Sequence, residues 1–146
     1  MPGYSGTPLV RKLGITDAHT VFLDGLPDGV DLGDLAAAHV VRRLPRTADV
    51  TLTFHTERAT LARRLPEVFA RTATDGMVWV CWPKKAAQRS ARNPRGPVSD
   101  LDENLVRDLG LELGFVDVKV AAVDEVWSGL KFVRRVADRR RRRGSG

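Results

Sequence analysis

Three polar residues stand where apolar, strand-like runs end, and their types could support acid–base chemistry. The residues are Asp24, His55 and Lys84. Ligands of open α/β sheets bind at the carboxyl ends of the strands, so these side chains would converge if their strands are neighbours. A histidine can act as a general base near neutral pH, and an aspartate can orient it. The alternative is a polar strand-end histidine that bonds to backbone or to water.

The exit of the last of these runs is a second candidate site. Trp82 and Pro83 precede Lys84 and Lys85, and the next residues add three more cations, at Arg89, Arg92 and Arg95. An aromatic ring beside several cations could receive a small anionic ligand or an acidic protein partner. A core tryptophan, a strand-ending proline and solvated lysines explain the same pattern equally well.

The net charge of +6 comes from the end of the chain. Residues 133–146 carry seven arginines against one acid, and the rest of the chain is balanced. The run Arg139, Arg140, Arg141, Arg142 and Arg143 could neutralise nucleic-acid phosphates, and five such contacts would give a logarithmic salt slope of roughly −4 to −5. Since no recognition helix, stacking platform or zinc-ligand spacing accompanies the run, such binding would be non-specific. The alternative is a solvated terminal charge run, disordered when free.

Several classes of chemistry lack their sequence signatures. The chain has no Walker loop, no Gly-x-Ser-x-Gly elbow and no His-x-x-x-His pair. Its one cysteine, Cys81, lies in an apolar run and can form neither a disulfide framework nor a cysteine metal site. No apolar stretch approaches about 20 residues, and the N-terminus lacks the pattern of a signal peptide. We therefore expect a cytoplasmic protein without a metal or a membrane partner.

The elements that must position these residues alternate along the chain. Apolar periodicity predicts strands at residues 19–23, 49–54, 77–82, 116–120 and 130–133. Helical spacing predicts helices within residues 9–15, over 32–44, from 57 to about 75 with a kink at Pro66, and over 100–114. The polar residues 83–99 are expected to form a long mobile loop.

This order predicts one α/β domain with a trimmed Rossmann-like architecture. Right-handed crossovers give a mainly parallel sheet of about five strands, flanked by helices and closed by an antiparallel C-terminal hairpin. We expect an N-terminal arm and short helix over residues 1–18, the domain over 19–136 and a disordered arginine-rich tail over 137–146. The final strands could leave an edge open for a homodimer.

The strand order, with its terminal hairpin, resembles that of class I methyltransferases, which would imply S-adenosylmethionine as the cofactor. The turn after the first strand departs from that pattern, because residues 24–29 contain Pro27 and only two glycines. A cofactor turn needs closely spaced glycines. The chain is also too short for the extra strands that usually carry the ribose-binding acid. We therefore assign no cofactor.

A second resemblance covers most of the chain. It rests on residues 3–9 (GYSGTPL), 82–85 (WPKK), 117–120 (DVKV) and 127–132 (WSGLKF). These segments look like those of an uncharacterised actinobacterial family of small proteins whose domain has no known function. That family supplies no catalytic residues to carry over.

The sequence favours a non-enzymatic binding or regulatory module on a degenerate methyltransferase-like scaffold. Its ligand-binding candidates are Asp24, His55, Trp82, Lys84 and Lys85. Two other functions remain open: a small S-adenosylmethionine-dependent methyltransferase, and a nucleic-acid-associated protein that acts through its arginine-rich tail.

Overall fold

The structure, a computed structural model, describes residues 8–35 and 37–144. The predictions for residues 1–7, Ala36 and residues 145–146 lie outside the described residues. The strands are β1 (Thr20–Asp24), β2 (His39–Val41), β3 (Ala48–Phe54), β4 (Thr72–Pro83), β5 (Phe115–Ala122) and β6 (Trp127–Arg134). The helices are α1 (Leu9–Lys12), α2 (Arg58–Ala70), α3 (Glu103–Glu112) and α4 (Val136–Gly144).

The strands form one mixed sheet in the order β2-β1-β3-β4-β6-β5. Strands β2, β1, β3 and β4 run parallel to one another, whereas β6 runs antiparallel to both β4 and β5. The predicted mainly parallel sheet with an antiparallel C-terminal hairpin is therefore confirmed, with six strands instead of about five. Strand β5 lies at one edge, but a homodimer through that edge stays a prediction.

Strand β4 separates two apolar cores. Val78 and Val80 pack on one side of the sheet with residues of α2 and α3, and Trp79 and Cys81 pack on the other side. The Trp79 indole Nε1 donates to the backbone oxygen of Leu13, 2.9 Å away, and so attaches the segment after α1 to the second core. Because successive strand residues point to opposite faces, an apolar run without alternation is what a strand covered on both sides requires.

The predicted helix over residues 32–44 is wrong. Gly29 and Gly33 have φ values of +87° and +88°, a left-handed conformation that interrupts a helix. The apolar spacing arises because Leu32 packs into the second core from an irregular segment. The β-branched Val40 and Val41 then form β2, which pairs with β1.

The boundary between α2 and β4 also differs from the prediction. Pro66 lies inside α2 and does not end it, and α2 stops at Ala70 instead of near Gly76. Strand β4 already begins at Thr72, so Gly76 is a strand residue. A Cβ atom at Gly76 would lie 2.8 Å from the backbone oxygen of Asp49. This glycine therefore permits close approach of two strands instead of ending a helix.

The segment after β4, which we expected to be a mobile loop, is held by buried hydrogen bonds. The Gln88 side chain is 6% exposed. Its Nε2 donates to the backbone oxygens of Pro83 and Leu101, at 2.9 and 2.8 Å. Asn93 Nδ2 donates to the Ala87 oxygen at 2.7 Å. Hydrogen bonds from one glutamine side chain thus connect the two ends of the segment. The polar composition of the segment does not predict this.

The arginine run is helical instead of disordered. Helix α4 begins at Val136 and carries Asp138 in its first turn, where a negative charge is favourable. The Arg142 side chain donates to Thr74 Oγ1 at 2.9 Å, and Arg143 pairs with Asp75 at 2.6 Å. These contacts with β4, together with the good helix propensity of arginine, explain the difference. The predicted division into arm, domain and tail stays a prediction.

Candidate functional site

A crevice lies at the carboxyl ends of β1 and β3. The chain continues from β1 to β2 on one side and from β3 to β4 on the other, so this is the point where the order of strands reverses. Open α/β sheets bind ligands at such a point. We call this cavity, of about 450 Å³, the strand-end crevice; its lining residues are Gly25, Pro27, Phe54, His55, Thr56, Glu57, Thr60 and Trp127.

Thr53 connects the carboxylate of Asp24 to the ring of His55. Its Oγ1 lies 2.7 Å from Asp24 Oδ2 and 2.7 Å from His55 Nε2. An ionised carboxylate only accepts hydrogen bonds, so Thr53 donates its one proton to Asp24. The threonine oxygen then accepts from His55, which must carry its proton on Nε2. The network therefore assigns the Nε2–H tautomer and leaves Nδ1 as the acceptor, on a side chain that lines the crevice.

Arg64 of α2 fixes the position of Asp24. Its Nε and Nη2 donate to Asp24 Oδ2 and Oδ1, both at 2.9 Å, a two-point geometry that fixes orientation as well as charge. Burial by itself raises the pKa of Asp24, but the hydrogen bonds from Arg64 and Thr53 outweigh it and hold that pKa below its ordinary value. Asp24 is therefore ionised at neutral pH.

The environment of His55 keeps its ring neutral. Burial lowers the pKa of His55 below its ordinary value; the negative charge of Asp24 opposes this shift, and the positive charge of Arg64 adds to it. The proton on Nε2 is held by Thr53. At neutral pH the ring is therefore a base with a defined tautomer.

The lowered pKa of His55 predicts how stability depends on pH. The unfolded state binds a proton at a higher pH than the folded state does, so the free energy of unfolding should fall as the pH decreases below about 6.5. The free energy of unfolding should fall further once the pH drops below 3.8, the ordinary pKa of Asp24, because the pKa of this carboxyl is lowered in the folded state. Urea unfolding at several pH values between 5 and 8 measures the first effect. The variant His55→Gln should remove it, whereas His39→Gln, at an exposed position, is the control and should keep it.

The structure brings together only two of the three residues expected to converge. Asp24 and His55 meet through Thr53, but Lys84 lines a different cavity, so its predicted convergence with them is wrong. We call this second cavity, of about 370 Å³, the lysine cleft; its lining residues are Trp82, Lys84, Lys85, Asp102, Glu103, Asn104 and Ser128. Trp82 belongs to the core on the side of α2 and α3. Phe54 and Trp127 of the crevice belong to the opposite core.

Sequence reasoning missed Thr53 and Arg64. A signal for Thr53 exists, because Asp24 and Thr53 are direct partners in the register of β1 and β3, and two parallel strands aligned by their apolar residues place them side by side. No comparable signal exists for Arg64. It reaches Asp24 from a helix 40 positions further along the chain, and only the packing angle of that helix decides which of its arginines does so.

The arginines that are predicted to bind nucleic acid lie on α4, and several of them already form hydrogen bonds or ion pairs within the protein. Arg141 pairs with Asp138, Arg142 with Thr74 and Arg143 with Asp75. Nε of Arg139 is buried without a hydrogen-bond partner among the described residues, and Arg140 is exposed. Fewer than five guanidinium groups thus face solvent without a protein partner in the described part of the chain. Nucleic-acid binding by this helix stays a prediction.

Other chemistries find no support in the described structure. Among residues 8–35 and 37–144, no three His, Cys, Asp or Glu side chains are grouped so that they could hold a metal ion. Burial raises the pKa of the Cys81 thiol far above neutral pH, which leaves it a poor nucleophile. Over the same described ranges, none of the helices combines the length and the apolar character needed to cross a bilayer.

Solved structures that are similar to this chain include the following two. The pyocyanin biosynthetic protein PhzM matches with a TM-score of 0.51 and 14% identity, over 80% of this chain and 50% of that chain. Magnesium protoporphyrin IX methyltransferase (ChlM) from Synechocystis PCC 6803, with bound SAH, matches with a TM-score of 0.48 and 12% identity, over 69% of this chain and 54% of that chain. No family model and no curated protein matches.

These similarities concern the fold alone. At 14% identity the first match shows a shared architecture and no shared chemistry, and the second is too distant to support an argument. The chain spans about half the length of the proteins that it matches. Together with the strand order, the first match confirms the predicted α/β fold class. The resemblance to an actinobacterial family of unknown function stays a prediction.

Proposed function

We propose that this chain is a small S-adenosylmethionine-dependent methyltransferase whose reaction takes place in the strand-end crevice. One observation carries the proposal: a neutral histidine with a defined tautomer lines a cavity at the point where a methyltransferase-like sheet reverses its strand order. The sequence patterns alone favoured a non-enzymatic module, and this proposal replaces that prediction with the methyltransferase that was its alternative.

His55 is the general base in this proposal. S-adenosylmethionine, when bound, would supply an electrophilic methyl group on a sulfonium sulfur, and the neutral thioether S-adenosylhomocysteine would leave with the electron pair of the broken carbon–sulfur bond. Nδ1 of His55 accepts the proton that an O–H or N–H group of the acceptor molecule must lose. Asp24 stabilises the resulting imidazolium through Thr53, as the carboxylate of a catalytic triad does. Positioned bases of this kind contribute about 10²–10⁴-fold to a rate.

The charges of the crevice suit a sulfonium cation. Glu57 contributes a carboxylate, and none of the described residues that line the cavity is a lysine or an arginine. The rings of Phe54 and Trp127 meet edge to face with centroids 5.4 Å apart, and an aromatic face attracts a cation in a desolvated site. The same lining favours neither phosphate nor a dinucleotide.

Two features depart from a usual cofactor site and limit which residues would hold S-adenosylmethionine. Asp24 is occupied by Arg64 and Thr53, so it is not available to the ligand. Strand β2 ends next to Arg42 instead of an acid, which leaves Glu57 as the carboxylate for the ribose hydroxyls. Gly25, with φ +71°, would let the backbone approach the ligand.

Calorimetry with S-adenosylmethionine tests the proposal. We expect a dissociation constant in the micromolar range and about tenfold weaker binding by Trp127→Leu, since an aromatic contact with a desolvated cation contributes about 1–2 kcal/mol. The variant Glu57→Gln should also bind more weakly. Glu112→Gln removes an equal charge at the distant end of α3 and should bind normally.

A second measurement distinguishes a methyltransferase from a non-enzymatic binding module. Radioactive methyl groups from S-adenosylmethionine should appear in molecules of a host-cell extract with the wild-type chain and not with His55→Gln. Absence of binding at 1 mM S-adenosylmethionine would overturn the proposal. It would return preference to a non-enzymatic module that holds an unidentified protein or small anionic ligand at the strand ends.

A further inference from the structure

The lysine cleft is a second cavity with its own chemistry. It lies where β4 ends, beside the first turn of α3. Its volume of about 370 Å³ falls in the range of about 300–1,000 Å³ that small-molecule sites occupy. Trp127 and Ser128 are consecutive residues of β6, so they point to opposite faces of the sheet. One lines the strand-end crevice and the other lines the lysine cleft, which places the two cavities on different faces.

The carboxylates of the lysine cleft are already engaged. Asp102 Oδ1 caps α3 by accepting from the Leu105 amide at 2.9 Å. Glu103 Oε2 accepts from Arg107 at 2.7 Å. By contrast, the ammonium groups of Lys84 and Lys85 have no hydrogen bond or ion pair within residues 8–35 and 37–144. The cleft therefore presents two ammonium groups that make no ion pair in the described part of the chain, beside two carboxylates that are already hydrogen-bonded.

The backbone that carries these lysines is fixed in place. The Lys84 amide donates to the Val126 oxygen at 2.8 Å, and the Ala87 amide donates to the Lys84 oxygen at 2.9 Å. The buried Gln88 side chain binds Pro83 on one side of the lysines and Leu101 on the other. A ligand would meet a rim that is already ordered, so it would lose less affinity to ordering of the chain.

We propose that the lysine cleft binds a small molecule that carries one carboxylate and an apolar or aromatic body, independently of the methyl-transfer site. Lys84 and Lys85 neutralise the carboxylate, and the Ser128 hydroxyl and the Asn104 amide group can donate hydrogen bonds to it. Trp82 lines the cleft and is 3% exposed, so a small part of its surface contacts the apolar body of the ligand. Asp102 and Glu103 line the same cleft and offset the charge of the two lysines, so a dianion gains no net attraction over a monoanion there, which favours a carboxylate.

Nuclear magnetic resonance with benzoate as the probe tests this site. We expect benzoate to shift the indole signal of Trp82, the side-chain amide of Asn104 and the backbone amide of Ser128. Benzamide has the same shape without the charge and should bind at least tenfold more weakly. Phenyl phosphate carries the dianion and should also bind more weakly than benzoate.

Two double variants separate a site from general attraction. Lys84→Gln with Lys85→Gln should abolish the benzoate shifts. Arg92→Gln with Arg95→Gln removes the same charge from the same loop at exposed positions and should leave the shifts within twofold. The proposal is overturned if both double variants weaken binding equally, if benzamide or phenyl phosphate binds as well as benzoate, or if 20 mM benzoate causes no shift. None of these outcomes depends on S-adenosylmethionine.

Discussion

Replacing Gly110 with alanine is expected to destabilise the domain by about 2 kcal/mol. Gly110 is buried in α3, and a Cβ atom at this position would overlap the ring of Phe132 in β6. That ring is fully buried and packs edge to face on Phe69, with centroids 5.8 Å apart, so it has little room to move. Overpacking costs about 3 kcal/mol, and the better helix propensity of alanine returns about 1 kcal/mol. Urea unfolding measures the difference.

Two further variants show whether the close approach of α3 to β6 is the cause. Gly144→Ala changes a glycine whose added Cβ atom would meet nothing within 4 Å, so the free energy of unfolding should change by less than about 0.5 kcal/mol. Combining Gly110→Ala with Phe132→Leu makes room for the added methyl group and should restore part of the loss. If Gly110→Ala is as stable as the wild type, the helix does not pack as tightly as the structure describes.

The elements that the sequence predicted correctly are those whose apolar pattern has one explanation. Residues 49–54 alternate between polar and apolar side chains, as in β3, and Leu61 and Leu65 repeat at helical spacing, as in α2. Residues 32–44 show the limit of this reasoning. Their apolar side chains are buried by an irregular segment and a short strand, and periodicity alone cannot distinguish that arrangement from a helix.

The part of the candidate site that lies at the carboxyl ends of the strands could be predicted from the sequence. Asp24 ends β1 and His55 follows β3, and these strands are neighbours, so the expectation that ligands bind at the carboxyl ends of strands brings the two residues together. The same rule failed for Lys84, because the lysine follows a longer strand whose last residues pair with β6. It therefore lies beside α3. The length and the pairing of a strand decide on which face of the sheet its last residue lies. Both are properties of the tertiary structure.

Replacing Thr53 with valine is expected to slow the proposed methyl transfer by about 10²–10⁴-fold while leaving the fold intact. The substitution keeps the shape of the side chain and removes the one oxygen that bonds both Asp24 and His55. His55 then has no acceptor for Nε2–H, so its two neutral tautomers become mixed. Loss of an oriented base lowers a rate by about 10²–10⁴-fold. The free energy of unfolding should fall by about 1–3 kcal/mol, since buried polar partners are left unpaired.

The tautomer itself can be measured without knowing the acceptor molecule. Nitrogen chemical shifts of the His55 ring should show a single Nε2–H form in the wild type and a mixture in Thr53→Val. Thr53→Ser keeps the hydroxyl and should retain both the tautomer and the activity, which separates a positioning role from a purely structural one. If Thr53→Val retains the Nε2–H form, the hydroxyl does not orient the ring. Asp24 would then influence His55 only through its charge, and the assignment of His55 as an oriented base would lose its geometric support.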